Sequence, residues 1–300
     1  MSLKPSEFEE AEYRGPLFNQ LSTSNLLWEP GQVFEKHIGI DHALLTTHSY
    51  LHMLHGHHAP LDGVVLSRYN WDYIWFNRRK KKKLPSFRLN VFIQAKRPQY
   101  GQYTPKALKA HGLKSPYWRF EVTPHQQIAL EALNLKLKGR AIVCYACPVF
   151  HKEALLHKWT VEPKIVEHST FPDVTVLKSH SAWNFSAPGA NGVANSVPTP
   201  SEGMPLLARV SALVEDSVDD SMSIIEELSL LSKAVNSSME SLPDEASYLQ
   251  ARYFEGIRNI QQFASELSQG EEFEAVMSYS TVYHFCYLNR LSWLVAGVAE

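Results

Sequence analysis

The chain predicts an α/β fold with a mixed sheet, followed by an all-α helical C-terminal part, and three observations carry that prediction. Over the first 180 residues, strand-length apolar runs and amphipathic stretches follow in the order helix, strand, strand, strand, helix, strand. Residues 184–203 are dense in Gly, Pro, Ser and Asn, which reads as a linker or loop. Beyond them, apolar residues recur every three or four positions. With 300 residues, 44% hydrophobic and 20% charged, the composition is that of a core-forming chain, not a disordered or fibrous one.

Each element has its own signal. Pro30 opens a short helix that runs to His37, since its fixed φ suits a first helical turn. Ile38 to Thr46 is an apolar strand, and Arg88 to Ala95 alternates before turning apolar. Tyr117 to Val122 makes a further strand, Pro124 to Lys138 a helix opened by proline, and Ala141 to Phe150 a strand apolar enough for burial on both faces. His151 to Trp159 is a helix. After the linker, Leu228, Leu231, Val235, Met239 and Leu242 step along one helix face. Leu249, Tyr253, Ile257, Ile260, Ala264 and Leu267 step along another, ahead of a helix-stopping Gly270. Residues 204–300 therefore read as a bundle of about three or four helices.

Charge separates the same regions. Residues 1–200 carry 24 Lys and Arg against 15 Asp and Glu, whereas residues 201–300 carry 5 against 16. Within residues 51–140 there are 17 basic side chains and 4 acidic ones, a local potential that attracts a phosphate backbone although the whole chain carries only -2. The acidic helices are expected to serve oligomerisation or partner docking. The N-terminal segment is acidic without a long apolar run, and no run of about 18 apolar residues occurs. The expectation is a soluble, cytoplasmic protein without a membrane partner. Three cysteines, Cys144, Cys147 and Cys286, make no disulfide framework and are expected to be reduced and structural.

Two segments carry chemistry. Pro30 to Leu45 places Glu35 on the short helix and Asp41 among Ile38, Ile40, Ala43 and Leu44, where an acid needs a reason to be. In Phe87 to Pro98, Gln94 and Lys96 stand two apart on a strand and share one face, with the Ala95 carbonyl between them. Were the two strands neighbours, a carboxylate, an amide oxygen and an ammonium would converge, and such hard oxygens suit Mg²⁺ or Mn²⁺.

In Glu35, Gly39-Ile40-Asp41 and Gln94-Ala95-Lys96 the chain resembles the PD-(D/E)XK nuclease superfamily, within it the Mrr-like restriction endonucleases and the double-stranded-DNA nuclease domains of bacterial antiphage effectors. The likeness spans about residues 25 to 160. It implies a restriction-endonuclease-like α-β-β-β-α-β core in residues 1–183, with an insertion at about 48–86. It also implies that Glu35, Asp41, Gln94 and the Ala95 carbonyl hold a divalent cation, and that Glu35, Asp41, Gln94 and Lys96 are catalytic, Lys96 positioning the attacking water. The function implied is a metal-dependent endodeoxyribonuclease, a phosphodiester hydrolase serving as effector or restriction subunit of a prokaryotic antiphage system. Its partners would be double-stranded DNA and, through residues 204–300, a second copy or a defence complex. The alternative is a catalytically inactive nuclease fold kept as a DNA-binding or scaffold subunit. A blander reading has Asp41 capping a turn and Lys96 ending a strand in solvent.

Between the two segments, Arg78, Arg79, Lys80, Lys81, Lys82 and Lys83 form an unbroken run of cations preceded by Tyr69, Trp71, Tyr73, Trp75 and Phe76. Such a run repels itself into an exposed loop, and in a nuclease it would contact phosphates, as would Arg97 and Tyr100 just past the site strand. Seven histidines lie between His37 and His58, some at helical spacing, without a companion Cys or Asp at metal-ligand spacing. Cys144-Tyr-Ala-Cys147 has redox spacing but lies in a strand-like apolar run, which favours inert thiols. No phosphate-binding Gly-rich loop, dinucleotide fingerprint or serine nucleophile elbow is present.

Overall fold

The computed structural model describes residues 3–22, 27, 28, 30, 86–216, 222–267 and 271–298. Its strands are β1 (Lys4–Pro5), β2 (Leu27–Trp28), β3 (Ser86–Ala95), β4 (Gln99–Gly101), β5 (Tyr117–Glu121), β6 (Ala141–Pro148), β7 (Ser169–Thr170), β8 (Ala182–Phe185), β9 (Gly192–Asn195), β10 (Thr199–Ser201) and β11 (Leu291–Val298). The helices are α1 (Glu10–Ser22), α2 (Lys106–Lys109), α3 (Pro124–Lys136), α4 (Glu153–Val161), α5 (Leu206–Asp216), α6 (Ile224–Glu240), α7 (Ser247–Leu267) and α8 (Glu271–Leu288).

The strands form two sheets. One has the order β2-β11-β3-β6-β7, the other β1-β4-β5-β8-β9-β10. In the first, β3 and β6 run parallel, Asn90 opposite Ala141 through Ala95 opposite Ala146, while β11 lies antiparallel on the other side of β3. A parallel pair needs a long crossover. Residues 96–140 supply it, carrying β4, α2, β5 and α3. The mixed α/β architecture expected from the element order is what the chain adopts.

Both faces of the β3–β6 sheet are covered, which is why Ala141–Pro148 is buried at every position. Phe92, Val143, Tyr145 and Trp293 pack on one face with Leu130 and Leu133 of α3, Leu231 and Val235 of α6, and Val282 and Phe285 of α8. The rings of Phe92 and Trp293 stack across β3 and β11 with centroids 6.0 Å apart. Val91, Ile93, Ile142 and Leu294 point the other way, toward Tyr13 and Leu17 of α1, Leu156 of α4 and Val210 of α5.

Two parts of the expected domain plan change. Residues 184–203 are not a linker: they contain β9 and β10, and the end of β8, which pair antiparallel in the six-stranded sheet. Nor is the C-terminal part all-α and separate. It ends in β11, which sits inside the sheet against β3, and α6 and α8 cover that sheet. Its helices are well specified locally: at the start of α6 the Ser223 hydroxyl accepts from the Glu226 N–H, and the Glu226 carboxylate accepts from the Ser223 N–H at 2.8 Å, a reciprocal cap. No helix among the described residues is long and apolar enough to cross a membrane.

Candidate functional site

Gln94 and Lys96 stand at the carboxyl end of β3, beside the same end of β6. Crevices outside the carboxyl ends of parallel strands are where open α/β sheets place ligands. Gln94 is 1% exposed; its amide Nε2 donates to the Asn289 carbonyl at 2.9 Å, while its Oε1 is buried without a hydrogen-bond partner. Ala95 between them turns its methyl into the opposite core. Lys96, at 8% exposure, donates its backbone N–H to the Ala146 carbonyl at 2.8 Å. Its ammonium lies 5.4 Å from the centroid of the Tyr145 ring, in range for a cation–π attraction.

Tyr145 is itself anchored. Its hydroxyl donates to Gln127 Oε1 at 2.6 Å, and Gln127 Nε2 donates to Glu131 Oε1 and to the Val174 carbonyl, both at 2.7 Å. Gln127 occupies the first turn of α3, so the crossover helix fixes the seat of Lys96. Burial holds the Tyr145 phenol protonated, well above its ordinary range, with the Glu131 carboxylate adding to the effect.

The charge partner of Lys96 is Glu10, the first residue of α1. Burial lowers the Lys96 pKa, the Glu10 carboxylate offsets part of that, and Arg290 at the turn into β11 adds to the lowering. Burial raises the Glu10 pKa, against the pull of Lys96, Arg290 and Arg14. Glu10 and Lys96 line a cavity of about 290 Å³ together with Pro5, Arg97, Gln99 and Glu121. His125, at the start of α3, has its imidazole pKa lowered by burial and by the positive charge of Lys96.

The sequence-predicted residues divide into three groups. Gln94, Ala95 and Lys96 lie together as expected. Glu35, Asp41 and the run Arg78 to Lys83 lie outside the described residues, as do the histidines from His37 to His58. The expected Ile38–Thr46 strand lies outside the described residues as well; among those described, β11 and β6 are the strands that pair with β3. Arg97 and Tyr100 are placed, and both are engaged within the protein. The Arg97 guanidinium pairs with Glu9 at 2.8 Å and donates to the Ser6 carbonyl at 2.6 Å, so it holds the segment leading into α1 and hence Glu10. The Tyr100 ring stacks on His151 with centroids 4.1 Å apart.

Sequence reasoning missed Glu10 and His125. Tyr13, Leu17 and Leu21, four apart and buried, mark α1 as a helix with one inward stripe, and Glu10 opens it. Cys144 and Cys147 are free and buried, the Cys144 thiol pushed up to about 12 by burial, so neither is a nucleophile at neutral pH. Among the described residues no three His, Cys, Asp or Glu side chains gather as a metal cluster. The carboxylates that line the cavity are those of Glu10 and Glu121, and the unsatisfied Gln94 Oε1 lies on the Lys96 face of β3.

Compared with known proteins, the chain matches no family model, and neither a curated protein nor a solved structure is similar to it.

Proposed function

We propose that the chain is a metal-dependent phosphodiesterase that cuts double-stranded DNA at the Glu10–Lys96 cavity. The observation that carries this reading is a nearly buried ammonium held beside a half-buried carboxylate at the carboxyl end of parallel strands. Desolvating both groups costs stability, and natural chains tolerate such a cost where chemistry uses it. A divalent cation in the cavity would meet the Glu10 and Glu121 carboxylates that line it, and the resemblance adds Gln94 and Asp41 as further oxygen ligands. Bound there, it offsets charge on the phosphate oxygens and lowers the pKa of a coordinated water.

The chain's own residues supply the rest. Lys96 places a fixed positive charge against the cavity, where low dielectric makes it worth more than a surface lysine. Tyr145, tied to Gln127 and Glu131, keeps that charge in place, and Arg97 keeps Glu10 at the cavity wall by holding Ser6 and Glu9. His125, kept neutral near pH 7 by burial and by Lys96, is available as a proton acceptor. The role as effector or restriction subunit of a prokaryotic antiphage system, with residues 204–300 meeting a second copy or a partner subunit, follows from the resemblance in Glu35, Asp41, Gln94 and Lys96.

The test is incubation of the full chain with supercoiled plasmid, linear duplex and RNA, each with Mg²⁺, Mn²⁺ or EDTA. Nicked and linear products are expected with metal and duplex DNA only. Lys96→Ala is expected to slow cutting by about 10²-fold or more. Undiminished cutting in EDTA or by Lys96→Ala overturns the assignment. Retention of DNA without any metal-dependent product points instead to an inactive binding subunit.

A further inference from the structure

Between Tyr73 and Phe120 the chain carries thirteen Lys and Arg and no Asp or Glu. The described part of this acid-free stretch includes an excursion of the six-stranded sheet, residues 102–116, between β4 and β5. We propose that this excursion is a wing that grips the phosphate backbone of double-stranded DNA beside the cavity. The choice of DNA as the polyanion rests on the nuclease reading, whereas the site itself rests on charge and geometry.

The wing is a built element. Leu108, Leu113 and Tyr117 form a small core of their own with Val193 of β9. The Thr104 N–H donates to the Ser115 hydroxyl at 2.8 Å, and the Thr104 hydroxyl donates to the Lys114 carbonyl at 2.7 Å, closing its neck. Gly112 turns the chain with φ +86°, a conformation L side chains resist, and Gly101 lies so close over the Tyr117 ring that a Cβ would sit 2.1 Å from it. These constraints fix where the cations stand.

Lys106 and Lys109, three apart on α2, share a helix face opposite the buried Leu108; with Lys114 and His111 they are exposed. No ion pair among the described residues uses any of the three lysines. Tyr103 is 61% exposed at the same neck, a ring free to lie against sugar or base. Position relative to the cavity selects the ligand. Gln99, at the other end of β4, lines the cavity, and two strand steps of about 3.4 Å separate it from Gly101 at the wing's root. A duplex with one phosphate in the cavity would therefore meet the wing within a helical turn. Lysines are point charges without a base-reading fork, so the grip is on the backbone and independent of sequence.

The test uses the full chain in EDTA, where nothing is cut, with fluorescence anisotropy on a labelled duplex across a salt series. The triple substitution Lys106→Gln, Lys109→Gln, Lys114→Gln is expected to weaken binding at least about tenfold at low salt. It should also flatten the slope of log affinity against log salt by about 2 to 3, near 0.9 for each phosphate released. Lys136→Gln with Lys138→Gln, at the far end of α3, should change affinity by less than about twofold. A thermal melt confirms that the exposed substitutions leave the fold intact. Unchanged affinity and slope in the triple variant overturn the wing. So does a wild-type chain that ignores duplex and RNA but sediments with phosphatidylserine vesicles, which would make the patch a membrane contact. Plasmid cutting reads the nuclease assignment separately: a wing that fails while cutting persists leaves that assignment standing, and lost binding without cutting leaves the wing.

Discussion

Where β3 pairs with β6, polar side chains are buried on one face at both ends of the paired stretch, and the two ends treat them differently. Where that pairing starts, Asn90 is 1% exposed and satisfied: its Nδ2 donates to Glu227 Oε1 at 2.6 Å, and its Oδ1 accepts from Trp293 Nε1 at 3.0 Å. Three elements, β3, α6 and β11, are pinned by that one amide. At the other end, Gln94 has an oxygen without a partner and Lys96 an ammonium whose pKa burial depresses. On the proposed reading, equal burial with unequal satisfaction is what sets the Gln94–Lys96 end apart from the Asn90 end.

The sharpest way to break this comparison is to substitute both ends. Lys96→Met should slow cutting by about 10²-fold or more while leaving the melting temperature close to the wild-type value, because removing a desolvated charge is offset by the lost attraction to Glu10. Asn90→Ala should do the reverse. It strips Glu227 and Trp293 of this partner inside the core and is expected to cost about 2 to 3 kcal/mol, with activity per folded molecule retained. Thermal melts and plasmid assays on both variants check the crossed pattern. If Lys96→Met destabilised the chain as much as Asn90→Ala, Lys96 would be a structural lysine and the cavity would lose its claim to chemistry.

The same contrast explains what could be read from the sequence. Gln94 and Lys96 share one face by strand alternation alone, and α3, α6 and α7 follow from apolar spacing, because those signals are local. β11 was not legible: Leu291–Val298 is a short apolar run, equally compatible with a buried helix turn, and only its pairing with β3 decides. β9 and β10 are three or four residues long among turn formers, and Gly192 is there because the Trp183 ring and the Asn184 carbonyl leave no room for a Cβ. Glu10 escaped for a similar reason. Nothing near it in the chain announces Lys96, and its position depends on Arg97 reaching back to Ser6 and Glu9. Long-range partners are invisible to period and spacing.

A smaller effect tests the charge pair through pH. A raised folded-state pKa means that the stability Glu10 lends is fully present below the unfolded value, 4.5, and is lost as pH rises through the folded value. For Lys96, with a lowered folded-state pKa, stability is fully present above the unfolded value, 10.5, and lost as pH falls through the folded one. At neutral pH the wild-type chain therefore carries both penalties. The double variant Glu10→Gln, Lys96→Met should melt at or above the wild-type temperature at pH 7. The gap should widen from pH 4.5 upward as Glu10 ionises in the wild type. A gap that is flat across this range would mean that Glu10 is solvated and unconnected to the cavity's electrostatics.

The smallest effect is also the most local. Burial is the larger cause of His125's low pKa and the Lys96 charge the smaller, so removing that charge should move the imidazole only part of the way back toward its ordinary value. Titrating the His125 ring proton by NMR in wild type and in Lys96→Met should show an upward shift in the variant. The measurement needs neither metal nor nucleic acid, so it tests the geometry of the site independently of its proposed chemistry. A His125 titration that ignores the loss of Lys96 would place the ammonium away from the α3 N-terminus. The arrangement linking crossover helix, Tyr145 and cavity would then have to be redrawn whatever the chain turns out to cut.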